Sequence, residues 1–378
     1  MESGSLSVSL HESAAFTDAA VWDALCPDDN PFVSYAFLST LERTGCIRAD
    51  YGWQPAHLAL KENDVLVGVA PCYVKHNSHG EFVFDHAWAH AYAQHGVDYF
   101  PKLLCASPYS PVTGPRLLAK TPMHQGALAR ALSSMAARLN LSSAHVNFHS
   151  AEESPIFGAD WFQREDVQYI WRNRSGWQTF DDYLAAMDSK HRKNIRQERR
   201  KLHDAGIRFS WIQGGDATEV DCRCMFDLYL GTFAMYGNHP ALTLEFFHEI
   251  VRALPTQTAF CFASDTRRDV IAGAFYFESS STLFGRYWGS TQDLPGLHFE
   301  TCYYQGLEHC LRTGRDTFEP GAGGVHKISR GFLPEVTRSH HWIRDEAFRA
   351  AIRDWCAQER AGTPAYMASL MQRSPFRA

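Results

Sequence analysis

The stretch Phe260–Gly289, FCFASDTRRDVIAGAFYFESSSTLFGRYWG, sets the reading of the whole chain. Its alternation and aromatic enrichment predict three strands, with a charged turn at DTRRD and another turn before the aromatic strand. Roughly 200 residues earlier, His57–Trp88, HLALKENDVLVGVAPCYVKHNSHGEFVFDHAW, repeats the plan. Each copy has a strand, a charged turn, an apolar strand with a central glycine, a second turn and an aromatic strand. Asp64 answers Asp269, and Gly68 answers Gly273.

The echo continues on both sides. HQGALARALSSMAARLN has helical spacing and precedes the strand SSAHVNF; FETCYYQGLEHCLRTG precedes RDTFEPG in the same way. Upstream lie NPFVSYAFLSTLERTG in the first copy, and CRCMFDLYLGTFAMYG with TLEFFHEIVRAL in the second. Asn30 and Thr243 are expected N-caps. Helices, an antiparallel meander, then a helix and a further strand is the element order of the GNAT acyltransferase fold. The expected class is therefore α+β, two tandem GNAT-like domains with mixed, mostly antiparallel sheets flanked by helices. Residues 1–170 form the first domain, 171–340 the second and 341–378 a C-terminal helical tail.

Bulk properties agree with a globular chain of two ordinary domains. It has 378 residues, 45% of them hydrophobic and 21% charged. A formal net charge of -6 argues against a surface coated for nucleic acid, though not against a local basic patch. The start, MESGSLSVSLHESAAF, has no basic n-region and no apolar h-region, and no run of about 18 apolar residues follows. A cytoplasmic protein is expected. The ten cysteines are scattered without paired C-x-x-C spacing and read as reduced thiols.

A second stretch, FEPGAGGVHKISRGF (Phe318–Phe332), holds four glycines. It is not a P-loop. Counted from Gly321, His326 stands where the second glycine belongs and Ile328 where the hydroxyl belongs.

With these pieces in place, the chain resembles the FemAB-like proteins of peptidoglycan biosynthesis, predicted N-acyltransferases with two GNAT-like domains. The segments that carry the resemblance are NPFVSYAFLSTLERTG, GEFVFDHAW, SPVTGPRLL, SKHRKNIRQERRKL, LHFETCYYQGLEHC and FEPGAGGVHKISRGFLP. They are spread over almost the whole chain. Two positions depart from the family pattern: Val325 replaces a glutamate, and His86 and His90 stand where tryptophan and aspartate are usual. The resemblance implies a donor held by the second domain and a non-catalytic first domain that shapes an acceptor groove.

Site candidates follow. An acyl transfer to an amine needs a base for the ammonium proton and donors for the developing oxyanion. Glu319, His326, Glu300, His298 and Tyr304 are the catalytic candidates. Lys327, Arg330 and the bare backbone of Gly289 are candidates for donor or phosphate binding. The basic run KHRKNIRQERRK adds Arg192, Lys193 and Arg196 as an anion cradle. Each has an alternative: a solvated helix face for the run, first-turn dipole roles for His298 and Glu300, an ion pair of Glu319 with Lys327 or Arg330 for the loop. His86 and His90 would suit a metal on a helix, but FVFDHAW reads as strand, and no metal is expected. SPVTGPRLL lines the acceptor pocket or packs the domain interface.

The expected activity is N-acyl transfer from an acyl-CoA thioester to an amine, with no metal or redox cofactor. The alternatives are aminoacyl transfer from a charged tRNA to a peptidoglycan precursor, and a non-catalytic protein that binds a cell-wall or lipid precursor. Partners are thus the acyl-CoA or tRNA donor and an amine-bearing small molecule, lipid or wall precursor. Peripheral membrane association is left open, and the oligomeric state is not legible.

Overall fold

The computed structural model describes residues 5–377, and the chain folds as two compact units. The first comprises residues up to Asp166 together with Val336–Ala365; the second comprises Val167–Glu335 and Tyr366–Ala378.

In the first unit the elements run β1 (Leu6–His11), α1 (Ala19–Asp23), α2 (Tyr35–Arg43), β2 (Trp53–Pro55), β3 (His57–Glu62), β4 (Val65–Ala70) and β5 (Cys72–Lys75). Then come α3 (His86–Gln94), β6 (Lys102–Cys105), β7 (Leu118–Ala119), α4 (Pro122–Arg138), β8 (Ser143–Asn147) and the start of β9 (Phe162–Arg172). Strands β1-β3-β4-β7 form an antiparallel sheet. Strands β8-β6-β5-β2 form a second, with β6 and β8 parallel. Pro71 separates β4 from β5. It has no N–H to give a ladder, which suits a point where the chain leaves one sheet for another. Helix α4 closes the core over Leu58, Leu60, Leu103 and Val146.

The second unit contains α5 (Phe180–Ala185), α6 (Ser189–Asp204), β10 (Arg208–Gln213), α7 (Glu219–Met235), α8 (Leu244–Ala253), β11 (Thr258–Ser264), β12 (Val270–Glu278) and β13 (Thr282–Ser290). It continues with α9 (Leu297–Phe299), a π-turn (Glu300–Tyr304), α10 (Gln305–Thr313) and β14 (Thr317–Glu319). Its sheet order is β10-β11-β12-β13-β14-β9. The meander is antiparallel through β13, and β14 then joins β13 in parallel. A strand following the helix is the order expected from the sequence, and the fold is α+β with GNAT-like order in this unit.

Two expectations are corrected. FVFDHAW is not a strand: His86–Gln94 is helix α3. Its alternate alanines are strong helix formers, and Trp88 and Tyr92, four apart, are its buried residues. The segment 341–378 is not a separate tail. Strand β15 (Leu333–Ile343) pairs with β8 in register Ser339↔Asn147 to Ile343↔Ser143. Helix α11 (Glu346–Met371) follows, and its Ile352 and Cys356 join a first-unit cluster with Trp88 and Tyr92. Leu370 belongs to the core of the second unit.

The expected caps hold in part. Thr243 caps α8, accepting from Phe246 N at 3.2 Å. Asn30 caps a short 3-10 turn, and α2 itself is capped by Ser34.

Candidate functional site

The second unit gathers most of the expected site residues around α6, the π-turn and the glycine loop. Helix α6 begins at Asp188, whose carboxylate accepts from His191 N at 2.9 Å. Only Ile195 and Leu202, two turns apart, are buried on it. With so narrow an apolar stripe, polar pairs fix the rest of the helix. Glu198 accepts from Arg330 Nη2 at 3.0 Å and from the Tyr304 hydroxyl. Arg199 bridges two acids, reaching Glu300 at 3.0 Å and Glu308 at 2.9 Å.

The π-turn supplies those contacts. Its wider coil turns successive side chains to different partners, and such turns recur at functional sites. Glu300 meets Arg199 and Gln305, Tyr303 lies 3.2 Å from His326 Nε2, and Tyr304 reaches Glu198. Burial raises the Glu300 carboxyl, opposed by Arg199.

The glycine loop folds back on itself. Gly321, Gly323 and Gly324 have φ of 92°, 66° and 92°, a backbone that side chains resist. Lys327, 3% exposed, donates to the carbonyls of Gly321 at 2.7 Å and Ala322 at 3.2 Å. Burial lowers its ammonium to about 8, with Arg286 acting in the same direction. Arg330 lies 3.4 Å over the Phe299 ring, and its carbonyl accepts from the Tyr183 hydroxyl. Burial, then the charges of Lys327 and Arg330, lower His326; His298 is held at about 4 by burial and by the same neighbours with His326. Both imidazoles are therefore neutral at pH 7.

Glu319 ends β14 opposite Phe284 of β13 and acts electrostatically on Arg286 and Arg172. The partner of Arg330 is thus Glu198 rather than the glutamate of its own loop. His298 packs on Trp288 with ring centroids 4.7 Å apart.

Four candidates fall elsewhere. Gly289 was expected to let a ligand approach its backbone. An added Cβ there would lie 2.0 Å from the Leu228 carbonyl oxygen, so its bare side seats α7 on the sheet. Arg192 turns to the carbonyls of Ala185 and Met187 at 3.4 and 3.3 Å. Lys193 is exposed, and Arg196 makes a 2.8 Å pair with exposed Asp181.

Glu198, Tyr303 and Arg286 were not singled out from the sequence; Arg199 was expected on the anion-binding face of the basic run with Arg192 and Arg196, and it pairs instead with Glu300 and Glu308. Glu198 had a signal: it is the lone acid within the basic run. Tyr303 had none, because its partner His326 lies 23 residues away. In the first unit, His86 and His90 do share a helix, both exposed, and among the described residues no group of three or more His, Cys, Asp or Glu could hold a metal ion.

A family model for FemAB-like proteins of peptidoglycan biosynthesis and recognition matches residues 13–378. Among solved structures, a FemX is similar at TM-score 0.52 and 10% identity, covering 89% of this chain and 98% of that one. The C-terminal domain of a putative lysylphosphatidylglycerol synthetase from Agrobacterium fabrum is similar at TM-score 0.53 and 10% identity, covering 92% and 97%. No curated protein matches. The match over nearly the full chain places this protein in the FemAB-like family, among the transferases of acyl or aminoacyl groups.

Proposed function

We propose that the protein transfers an aminoacyl or acyl group from an activated ester or thioester to the amine of a cell-wall or lipid precursor, with the chemistry at the glycine loop of the second unit. The observation that carries this reading is Lys327: a buried ammonium with a depressed pKa, held by two loop carbonyls beside neutral His326. The names of the two structural neighbours, FemX and lysylphosphatidylglycerol synthetase, favour an aminoacyl ester on tRNA over an acyl-CoA thioester as donor.

The acceptor amine attacks the donor carbonyl, and a C–N bond forms as the carbonyl oxygen gains charge. Lys327 stabilises that oxygen; electrostatic terms of this kind are worth about 10²–10³ in rate. His326 takes the proton released by nitrogen and returns it to the departing ribose hydroxyl or thiol as the C–O or C–S bond breaks. Tyr303, within 3.2 Å, orients the imidazole.

The test supplies purified protein with a panel of acyl-CoA thioesters and charged tRNAs, and with amine acceptors, and measures product. Turnover with one donor class is expected, and Lys327→Ala should lower kcat about 100-fold. Full turnover by Lys327→Ala would remove the loop from the chemistry. Binding of a precursor without turnover from any donor would favour the recognition reading instead, which Val325 suits as an exposed apolar residue on this loop.

A further inference from the structure

Helix α6 presents a second face away from the glycine loop. Beside it lies an open cleft of about 750 Å³, wholly within the second unit. Its floor is the Arg199 cluster, in which the carboxylates of Glu300 and Glu308 are both satisfied by one guanidinium. Over the whole lining, Asp181, Glu300 and Glu308 face Arg196, Arg199, Arg200 and Arg208, so the arginines outnumber the acids by one. Arg196, paired with Asp181, also lines the cleft, and two more arginines complete the lining: Arg200 from α6 and Arg208 from the start of β10. Neither has a carboxylate partner among the described residues; Arg208 reaches only the Ile207 carbonyl, at 3.3 Å. Both are exposed; Arg200 keeps its full donor fork for an incoming anion, and Arg208 keeps Nη2 and Nε. Phe180 and Phe209, both half-buried, supply flat apolar walls.

We propose that this cleft binds the phosphate-bearing nucleotide end of a ligand, with Arg200 and Arg208 on phosphate oxygens and the base against the Phe180 and Phe209 walls. Paired guanidinium groups suit phosphate, and aromatic faces suit any base. The same end chemistry, an adenosine with an adjacent phosphate, occurs in coenzyme A and at the 3′ terminus of tRNA. The cleft's place in the reaction rests on the transferase reading; binding itself does not.

The probes are adenosine 3′,5′-bisphosphate, coenzyme A and a 12-nucleotide RNA ending in CCA, titrated against the full chain at several salt concentrations. Binding of at least one probe is expected. The paired reversal Arg200→Glu with Arg208→Glu should weaken it about 10-fold or more and reduce the salt slope by about two. Arg130→Glu, an exposed charge of the first unit, should change neither. Saturable binding of the bisphosphate and coenzyme A identifies a small-molecule source; binding of the RNA alone identifies a tRNA source. Binding by no probe at millimolar concentration, unchanged binding in the paired reversal, or an equal loss in Arg130→Glu would overturn the proposal. Should the reversal not fold, Arg200→Gln with Arg208→Gln reads the same loss. Lys327→Ala separates the two readings: it should bind the probes normally while losing turnover. If it keeps turnover, the loop mechanism fails and the cleft stands.

Discussion

At the scale of single residues, the site depends on how burial sets charge. Lys327 titrates near 8, so its ammonium form is present below that value and lost above it. The rate in wild type should therefore fall as pH rises through about 8, and Lys327→Arg, if active, should hold its rate to higher pH because guanidinium does not deprotonate there. A pH profile of kcat reads the difference. Glu198 acts through others: it holds Arg330 over Phe299 and receives the Tyr304 hydroxyl. Glu198→Ala should cost about 1–3 kcal/mol in urea unfolding, since it strands two buried donors. Glu198→Gln, which keeps a carbonyl oxygen, should recover part of both stability and kcat. Equal losses in the two variants would mean that the charge alone matters.

At the scale of elements, one close approach seats a helix on the sheet of the second unit. Gly289 lets α7 sit on β13, and the atom in its way is backbone, which cannot rotate aside. Gly289→Ala should lower stability by about 1–3 kcal/mol by overpacking, seen as a fall in Tm. Donor binding by the folded fraction should be unaffected, which separates this role from ligand contact. The elements also show what local sequence reveals. The meander β11-β12-β13, helix α6 and the caps Asp188 and Thr243 follow from alternation and from side chains within three residues. FVFDHAW was misread because Phe82, Val83 and Phe84 are strand formers, whereas the helix begins at His86 and shows its spacing only in Trp88 and Tyr92, the second of which lies beyond the segment.

At the scale of the whole molecule, the first unit carries a histidine-rich interior that makes it acid-sensitive. His145 and His341 are cross-strand partners with their Nδ1 atoms 2.7 Å apart; His149 and His340 form a second pair at 2.7 Å. Burial lowers all four, to about 3 for His145 and His340 and about 4 for His149. The unfolded chain takes up a proton at each near 6.5 while the folded chain resists. Their contribution is thus complete above about pH 6.5 and is lost as pH falls toward 4 and 3. Each histidine should remove on the order of 1 kcal/mol between pH 7.5 and 5.5. Urea midpoints at the two pH values check this, and His340→Phe should flatten the dependence.

Much of the molecule was legible because its signals are local. Alternation, helical spacing, turn residues and the internal repeat pointed to two GNAT-like copies, and the glycine loop stood out by composition. The sequence by itself therefore determined most element types and marked Lys327, His326, Glu300 and Arg330 as candidates for the chemistry. Tertiary structure alone decided their partners. Glu198 meets Arg330 across 132 residues, and His145 meets His341 across 196. It also returned β15 to the sheet of the first unit and turned Gly289 from a ligand contact into a helix seat. The physical reason is that propensity acts over a few residues, whereas pairing and desolvation depend on which distant groups the fold removes from water together.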